Sequence, residues 1–146
     1  MLNYSDKKGV NRIIDANINR AKEGLRVCEE IARFMLNSRS LTSRLKGIRH
    51  KIDAVIKKLP EAAKMLNARQ ALADVGRTIY ANELRRNSLQ DVFFANIQRV
   101  KESVRVLEEF SKLIDRKLAV EFKKTRYKVY AAEKEAAGKI QALRHT

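Results

Sequence analysis

One helical motif occurs twice in this chain of 146 residues, and it limits the possible folds more than any other feature. The first copy, at 16–30, reads ANINRAKEGLRVCEE, and the second, at 95–109, reads ANIQRVKESVRVLEE. The similarity resumes where 41–51 matches 118–128, so the offset falls from 79 to 77 residues. Two copies are too few for a solenoid, which needs at least three repeats. The repeat therefore predicts an all-α fold, a duplicated helical-hairpin bundle with an internal pseudo-twofold axis.

The spacing of apolar residues predicts four long helices in a single domain over 1–146. Apolar positions recur at three- and four-residue steps, which is the pattern of a helix with one buried face. The expected buried positions include Met35 in the first helix, and Phe122, Val129, Ala132, Ala136 and Ile140 in the last. The expected helices run from about 10 to 36, from 41 to 59, from 89 to about 114 and from 118 towards 143. The repeat halves are then about 10–59 and 88–143, and a connector at about 60–87 joins them.

Polar residues at the ends of these segments predict the helix boundaries. Residues 1–9 are expected to form a lead-in that ends at Gly9. Ser40 and Ser88 are the expected N-caps of the second and third helices, because serine accepts a hydrogen bond from a free N–H of the first turn. Pro60 suits the first turn of a short helix through Leu66.

Composition narrows the class of protein. The net charge is +15, which favours anionic partners, either nucleic acid or a phosphorylated small molecule. A single cysteine, Cys28, excludes an internal disulfide framework and is expected in the core. No apolar run reaches membrane-spanning length and no signal peptide is evident, so we expect a cytoplasmic protein without a membrane partner.

A helical wheel places polar residues on the inward face of each repeat. Asn17 falls within the apolar arc and Arg20 on its edge, and Asn96 and Arg99 take the same places in the second copy. Buried amide and guanidinium groups need partners. With Arg49 and Arg126, the matched basic residues of the partner helices, these groups are expected to converge on the bundle interior. The matched residues Lys22, Arg26, Glu29 and Glu30 are expected to form solvated pairs outside.

A purely structural interpretation of the same residues stays open. Asn17 and Arg20 could instead cap loop carbonyls or pair with Glu23 and Glu102, which would hold the bundle in register. His50 is a candidate acid or base, although a lone histidine on a helix usually has neither role. The sequence contains no histidine–cysteine cluster for a transition metal and no glycine-rich phosphate loop of a standard pattern.

Several motifs in this order resemble a known family. They are the run from Ile14 to Glu29, then Ala32-Arg33-Phe34, 45–50, Asp74-Val75-Gly76 and 95–109. They resemble the helical domain often fused ahead of thiamine-phosphate synthase, a family of monofunctional hydroxymethylpyrimidine phosphate kinases of thiamine biosynthesis. The resemblance covers about 12 to 133, so the chain looks like a standalone version or an excised domain. In one departure, Gln70 follows Arg69 where the family pattern has aspartate.

The resemblance implies transfer of the γ-phosphoryl group of ATP to a pyrimidine monophosphate, with Mg²⁺. Phosphoryl transfer requires positioning and charge neutralisation, and the phosphate acceptor needs no general base. Asp74, Arg20 and Arg99 are the implied catalytic residues, with Asp74 the candidate magnesium ligand. The implied substrate-binding residues are Asn17, Glu23, Arg49, His50, Arg69, Gly76, Asn96, Glu102 and Arg126.

Three other functions stay open. The chain could be a non-catalytic module that binds the pyrimidine phosphate beside a thiamine enzyme, with thiamine-phosphate synthase as its partner. It could be a structural unit that forms a homodimer. A nucleic-acid binder is the least favoured, because the basic residues show no single stripe and no interleaved aromatic residues.

Overall fold

The computed structural model describes residues 2–60, 69, 72–77 and 84–144, and all its regular secondary structure is helical. Helix α1 spans Tyr4–Glu30 and continues into a π-helical turn at Ile31–Met35. Helices α2, α3 and α4 span Arg39–Ile56, Leu89–Ser111 and Arg116–Arg144. The prediction of an all-helical chain with four long helices is confirmed. The short helix expected after Pro60, and Gln70, lie outside the described residues.

The helices form a bundle in which α1 packs against α2 and α3, and α4 packs against the same two helices. The interior contains aliphatic residues and two phenylalanines, Phe93 and Phe122, whose side chains are fully buried. The apolar positions predicted for α4 are all buried, namely Phe122, Val129, Ala132, Ala136 and Ile140. Of the helices within the described ranges, none is both long enough and apolar enough to cross a membrane.

Two predicted helix starts are wrong. Helix α1 begins at Tyr4, not near Val10, because the Asn3 side chain accepts a hydrogen bond from the Asp6 N–H at 2.8 Å. Helix α2 is capped by Ser38, not Ser40, and the Ser38 hydroxyl accepts from the Leu41 N–H at 3.1 Å. The predicted Ser88 cap of α3 is confirmed, because its hydroxyl accepts from the Asp91 N–H.

The end of α1 also departs from the predicted pattern. Met35 was placed on the buried face, yet it is 56% exposed. A π-helical turn has five-residue rather than four-residue hydrogen bonds, and here the Leu36 N–H bonds to the Ile31 carbonyl. The wider turn changes the helical register after Ala32 and turns Met35 outward. Asn37 then reverses the chain with a φ of 51°.

Helices α1 and α3 come close together at Gly24. A Cβ added there would lie 2.8 Å from a Val100 methyl carbon and 3.0 Å from the Asn96 carbonyl oxygen. Further along, the Cys28 thiol donates to the Phe93 carbonyl at 3.7 Å, so the two helices run in opposite directions. Burial raises the pKa of Cys28 to about 12, so this thiol stays neutral, as expected of a core residue.

Each hairpin contains one buried ion pair at the same place in the repeat. Arg49 of α2 donates to Glu29 of α1 at 3.0 and 3.3 Å. Arg126 of α4 donates to Glu108 of α3 at 3.0 and 3.4 Å. The two glutamates are only 6% and 4% exposed, so the prediction that Glu29 is a solvated outer residue is wrong. The buried carboxylate needed a partner from another helix, and the matched arginine provides it.

We predict that Gly24→Ala lowers the free energy of unfolding by about 1–2 kcal/mol, because the added methyl overpacks the α1–α3 contact. Alanine normally stabilises a helix interior by about 0.5–1 kcal/mol relative to glycine. The control is Gly47→Ala in α2, where an added Cβ meets nothing within 4 Å and the normal gain is expected. Urea unfolding measures the free energy of unfolding of both variants. Equal gains in the two variants would contradict the close packing at Gly24.

We also predict that Glu108→Gln destabilises the fold by about 2 kcal/mol at pH 7, because it weakens charge-assisted hydrogen bonds. Burial tends to raise the pKa of Glu108, but the hydrogen bonds from Arg126 and Arg105 outweigh burial and lower it. The stabilisation is therefore present above the ordinary glutamate pKa of 4.5 and is lost as the pH falls below it. Unfolding measured from pH 7 to pH 3 should show the wild-type and variant stabilities converging. A constant difference would contradict the prediction.

Candidate functional site

A cleft of about 500 Å³ lies beside the N-terminal half of α1. Most of its wall is one flank of α1, and residues of the connector face that flank from the other side. Its charged and amide side chains are Arg12, Asp15, Asn17, Asn19, Arg20, Arg69 and Asp74. Three guanidinium groups and two carboxylates therefore share one concave surface, which suits an anionic ligand.

A two-point ion pair attaches the connector to α1 at this cleft. Arg69 donates from Nε and from Nη2 to the two oxygens of Asp15, each at 2.8 Å. The Asp15 side chain is 13% exposed and that of Arg69 is 43% exposed, so the guanidinium is open to the cleft from one side. The hydrogen bonds to Asp15 raise the pKa of Arg69, which stays a permanent cation.

The Asp74 turn forms another part of the wall. The Asp74 Oδ1 atom accepts the Gly76 N–H at 2.8 Å, and its carbonyl accepts the Arg77 N–H at 3.2 Å. The N–H of Gly76, an implied substrate-binding residue, is therefore engaged by the Asp74 side chain. This turn presents the Asp74 carboxylate to the cleft.

The paired asparagines have the same local contact. Asn17 donates from Nδ2 to the Ile13 carbonyl, and Asn96 donates from Nδ2 to the Val92 carbonyl, both at 2.8 Å. These bonds satisfy one amide proton of each side chain with a carbonyl of its own helix, not with the loop carbonyls that the structural interpretation named. Asn17 also lines the cleft, and its amide oxygen accepts no hydrogen bond within the described part of the chain. It remains a candidate ligand contact.

The predicted convergence of four arginines inside the bundle is wrong. Arg49 and Arg126 are ion-paired with Glu29 and Glu108, because each buried carboxylate requires a cation from the partner helix. Arg20 and Arg99 are exposed because they leave the helix at the edge of its apolar face, and Arg20 lines the cleft. Of the other predicted residues, Glu23, His50 and Glu102 are also exposed, and Glu102 accepts from Gln98 at 2.9 Å.

Three residues of the cleft were missed by the sequence reasoning, namely Arg12, Asp15 and Asn19. The signal that could have identified Asp15 is its position between Ile14 and Ile18, where an unpaired charge on the buried side of a helix is costly. Its partner is 54 positions away in the connector, so no helical spacing indicates the pair.

Three polar residues of the cleft are not repeated in the second half of the chain. At the offset of 79, Arg12 corresponds to Asp91, Asp15 to Phe94 and Asn19 to Gln98. Asn17, Arg20 and the apolar positions do recur, as Asn96, Arg99 and their neighbours. The charges of Arg12 and Asp15 therefore belong to the first half alone, and those of Arg69 and Asp74 belong to the connector.

The side chains of the cleft fit magnesium only as a companion of bound phosphate. Within the described ranges, no three His, Cys, Asp or Glu residues are grouped so that they could hold a metal ion. Mg²⁺ is usually held by one or two carboxylates together with substrate phosphates and water. Asp74 meets that requirement. Asp15 would do so only after Arg69 had moved away.

The chain is similar to known proteins over most of its length. Residues 12–135 match the model of the ThiD2 family. A thiamine-phosphate synthase of Rhodopirellula baltica is 39% identical over 140 residues, covering 95% of this chain and 37% of the relative. Another, of a Nostoc species, is 36% identical, with 92% and 38% covered. A third, of a Synechocystis species, is 39% identical over 125 residues, with 85% and 35% covered.

The chain thus spans less than two fifths of the length of these curated relatives. No solved structure matches it. Because the family model covers most of the sequence, including α2, α3 and the greater part of α1 and α4, the chain belongs to the ThiD2 family.

Proposed function

We propose that this chain is a phosphotransferase of thiamine biosynthesis that converts hydroxymethylpyrimidine phosphate into its diphosphate with ATP. The observation that best supports the proposal is the cleft, whose lining combines Arg12, Arg20 and Arg69 with Asp15 and Asp74. The relatives named as thiamine-phosphate synthases support the pathway. The kinase step rests on the resemblance of the repeated motif and on the chemistry of this cleft.

The arginines would neutralise phosphate charge. Guanidinium groups bind phosphate oxygens through two parallel hydrogen bonds, and they keep their charge at any physiological pH. Arg12 and Arg20 lie on one flank of α1, eight residues apart, which is about 12 Å along a helix. Phosphates at both ends of the cleft would therefore be within reach of a cation. Such positioning provides most of the catalysis in phosphoryl transfer.

The amides would orient the acceptor. Asn17 and Asn19 can donate to and accept from the ring nitrogens and amino group of a pyrimidine, and the free amide oxygen of Asn17 is suited to the amino group. The attacking group is an oxygen of the acceptor phosphate, which already carries negative charge. The cleft therefore needs no base, which agrees with the position of His50 outside its lining.

Magnesium, when bound with ATP, would offset the negative charge that develops on the phosphates. Asp74 is the residue that would hold it. Arg69 would have a second role, because a phosphate in the cleft competes with Asp15 for the same guanidinium. The exposed side of Arg69 makes that exchange accessible.

We also propose that the two hairpins are duplicated copies related by a pseudo-twofold axis. The matched contacts support this proposal: Glu29–Arg49 with Glu108–Arg126, and Asn17–Ile13 with Asn96–Val92. The homodimer, the cytoplasmic location and a thiamine-phosphate synthase partner stay predictions.

A second candidate is a binding module without catalysis. The relatives are much longer than this chain, so the catalytic centre implied by their name could lie outside the matched part. In this case the cleft would hold the pyrimidine phosphate, and transfer of phosphate would not occur.

An ADP-release assay tests the proposal. The purified chain is mixed with Mg-ATP and hydroxymethylpyrimidine phosphate, and the unphosphorylated alcohol is run in parallel. We expect turnover with the phosphate and none with the alcohol. Thermal stabilisation by the phosphate without ADP release would favour the binding module. No response of either kind would contradict both functions.

Matched variants then test the assignment to the cleft. We predict that Arg20→Ala and Asp74→Asn each reduce kcat/KM by at least about 100-fold, because each removes a charge that offsets or positions phosphate. The control is Arg99→Ala, the same change at the matching position of the second copy. The resemblance implies a catalytic role for Arg99, but this residue does not line the cleft, so we expect less than about a threefold effect. Circular dichroism should show all three folded. A loss in Arg99→Ala equal to that in Arg20→Ala would refute the one-sided site.

A further inference from the structure

The outer face of α4, opposite its buried side, is strongly basic. The helix contains nine lysines and arginines and only three glutamates. Each of the three glutamates is paired with a lysine or arginine of a neighbouring helix. Lys123, Lys124 and Lys134 are exposed, and none has an ion pair within the described ranges. Their charge is therefore available to an external anion.

Two tyrosines lie among these lysines, so the prediction that no aromatic residues are interleaved with the basic residues is wrong for α4. Tyr127 is 56% exposed and Tyr130 is 38% exposed, with ring centroids 5.8 Å apart in an edge-to-face arrangement. The Arg126 guanidinium lies 5.2 and 5.8 Å from the two ring centroids, and its Nη1 donates to the Tyr130 hydroxyl at 3.1 Å. Arg126 is itself held by Glu108. Arg126 therefore contacts both rings, and Lys101 Nζ lies 5.8 Å from the Tyr130 centroid, so Tyr127 is the more accessible of the two.

Helix α2 shows that hairpin packing does not require these aromatic residues. At the offset of 77, Tyr127 corresponds to His50 and Tyr130 to Asp53, while Lys123 and Lys134 correspond to Lys46 and Lys57. Each helix contributes an arginine at the matching position, Arg49 in α2 and Arg126 in α4, to a buried ion pair. The α4 face thus differs from its counterpart by the gain of two aromatic rings and of one lysine, Lys124 in place of Gly47, and by the loss of an acidic group.

We propose that this face of α4, formed by Lys123, Lys124, Tyr127, Tyr130 and Lys134, binds single-stranded nucleic acid. The lysines would contact phosphates and the tyrosine rings would stack on bases, which is how proteins bind single strands without reading sequence. A duplex offers the same charge, but its bases are stacked inside and cannot reach the rings. The exposed tyrosines therefore favour a single strand over a duplex. This surface is separate from the cleft, and the proposal does not depend on kinase activity.

Fluorescence anisotropy with a labelled oligothymidine of about 20 nucleotides tests the proposal, with a duplex of equal length as the comparison. We expect the single strand to bind at least about tenfold more tightly than the duplex. Binding should weaken about tenfold or more when KCl rises from about 50 to 200 mM. Replacing both rings, Tyr127→Ala with Tyr130→Ala, should weaken it about 10- to 100-fold.

Two controls separate stacking from general charge. Tyr127→Phe keeps a ring and should bind within about threefold of wild type, whereas the single variant Tyr127→Ala, at the more exposed ring, should not. Replacing Lys46 and Lys57, at the matching positions of the first hairpin, by alanine removes as much charge as replacing Lys123 and Lys134. It should weaken binding of the single strand much less. Equal losses in these two lysine variants, equal affinity for duplex, or unchanged binding after loss of both rings would overturn the proposal. Tighter, tyrosine-dependent binding to anionic phospholipid vesicles would also overturn it.

Discussion

The close contact between α1 and α3 at Gly24 determines where everything else in this bundle lies. It brings the two copies of the repeated motif together in opposite directions, with Val100 and the Asn96 carbonyl against the α1 backbone. Each helix then offers a second face to its own hairpin partner, where the Glu29–Arg49 and Glu108–Arg126 pairs form. The flank of α1 that remains faces Arg69 and Asp74 of the connector, and there the cleft forms.

The two halves show how one framework can support different surfaces. The shared residues build helices and hairpins, and a carboxylate buried between two helices needs its arginine in either copy. Outside that framework the halves are free to differ. The first half places Asp15 where the second has Phe94, and the second half places Tyr127 where the first has His50. The repeat thus accounts for the fold, while the differences between its copies indicate where function is located.

Sequence reasoning succeeded where an interaction is local and periodic. The buried face of α4 follows from apolar residues at helical spacing, and the Ser88 cap follows from a serine immediately before such a segment. Arg20 was identified because an arginine at the edge of an apolar face is unusual, and Asp74 entered through the family resemblance. Both line the cleft. The chemical roles given to them remain predictions.

Sequence reasoning failed where the residue that pairs with a side chain, and so fixes its position, is distant in the chain. Glu29 was predicted to be solvated because the helical wheel places it opposite the apolar arc, close to Arg26 of the same helix. Its main partner, however, is Arg49 on the next helix. Asp15 was missed because Arg69 reaches it from the connector. Met35 was misplaced because a π-helical turn is set by hydrogen bonds that leave little trace in a pattern of apolar residues.

A crystal structure with hydroxymethylpyrimidine phosphate and a non-hydrolysable ATP analogue would test the central claim most directly. The account predicts the pyrimidine against Asn17 and the phosphates within hydrogen-bond distance of Arg12 and Arg20. It also predicts Arg69 turned from Asp15 towards a phosphate, and magnesium bound beside Asp74. Both ligands bound at another surface, with the Asp15–Arg69 pair intact and the cleft filled by water, would contradict it.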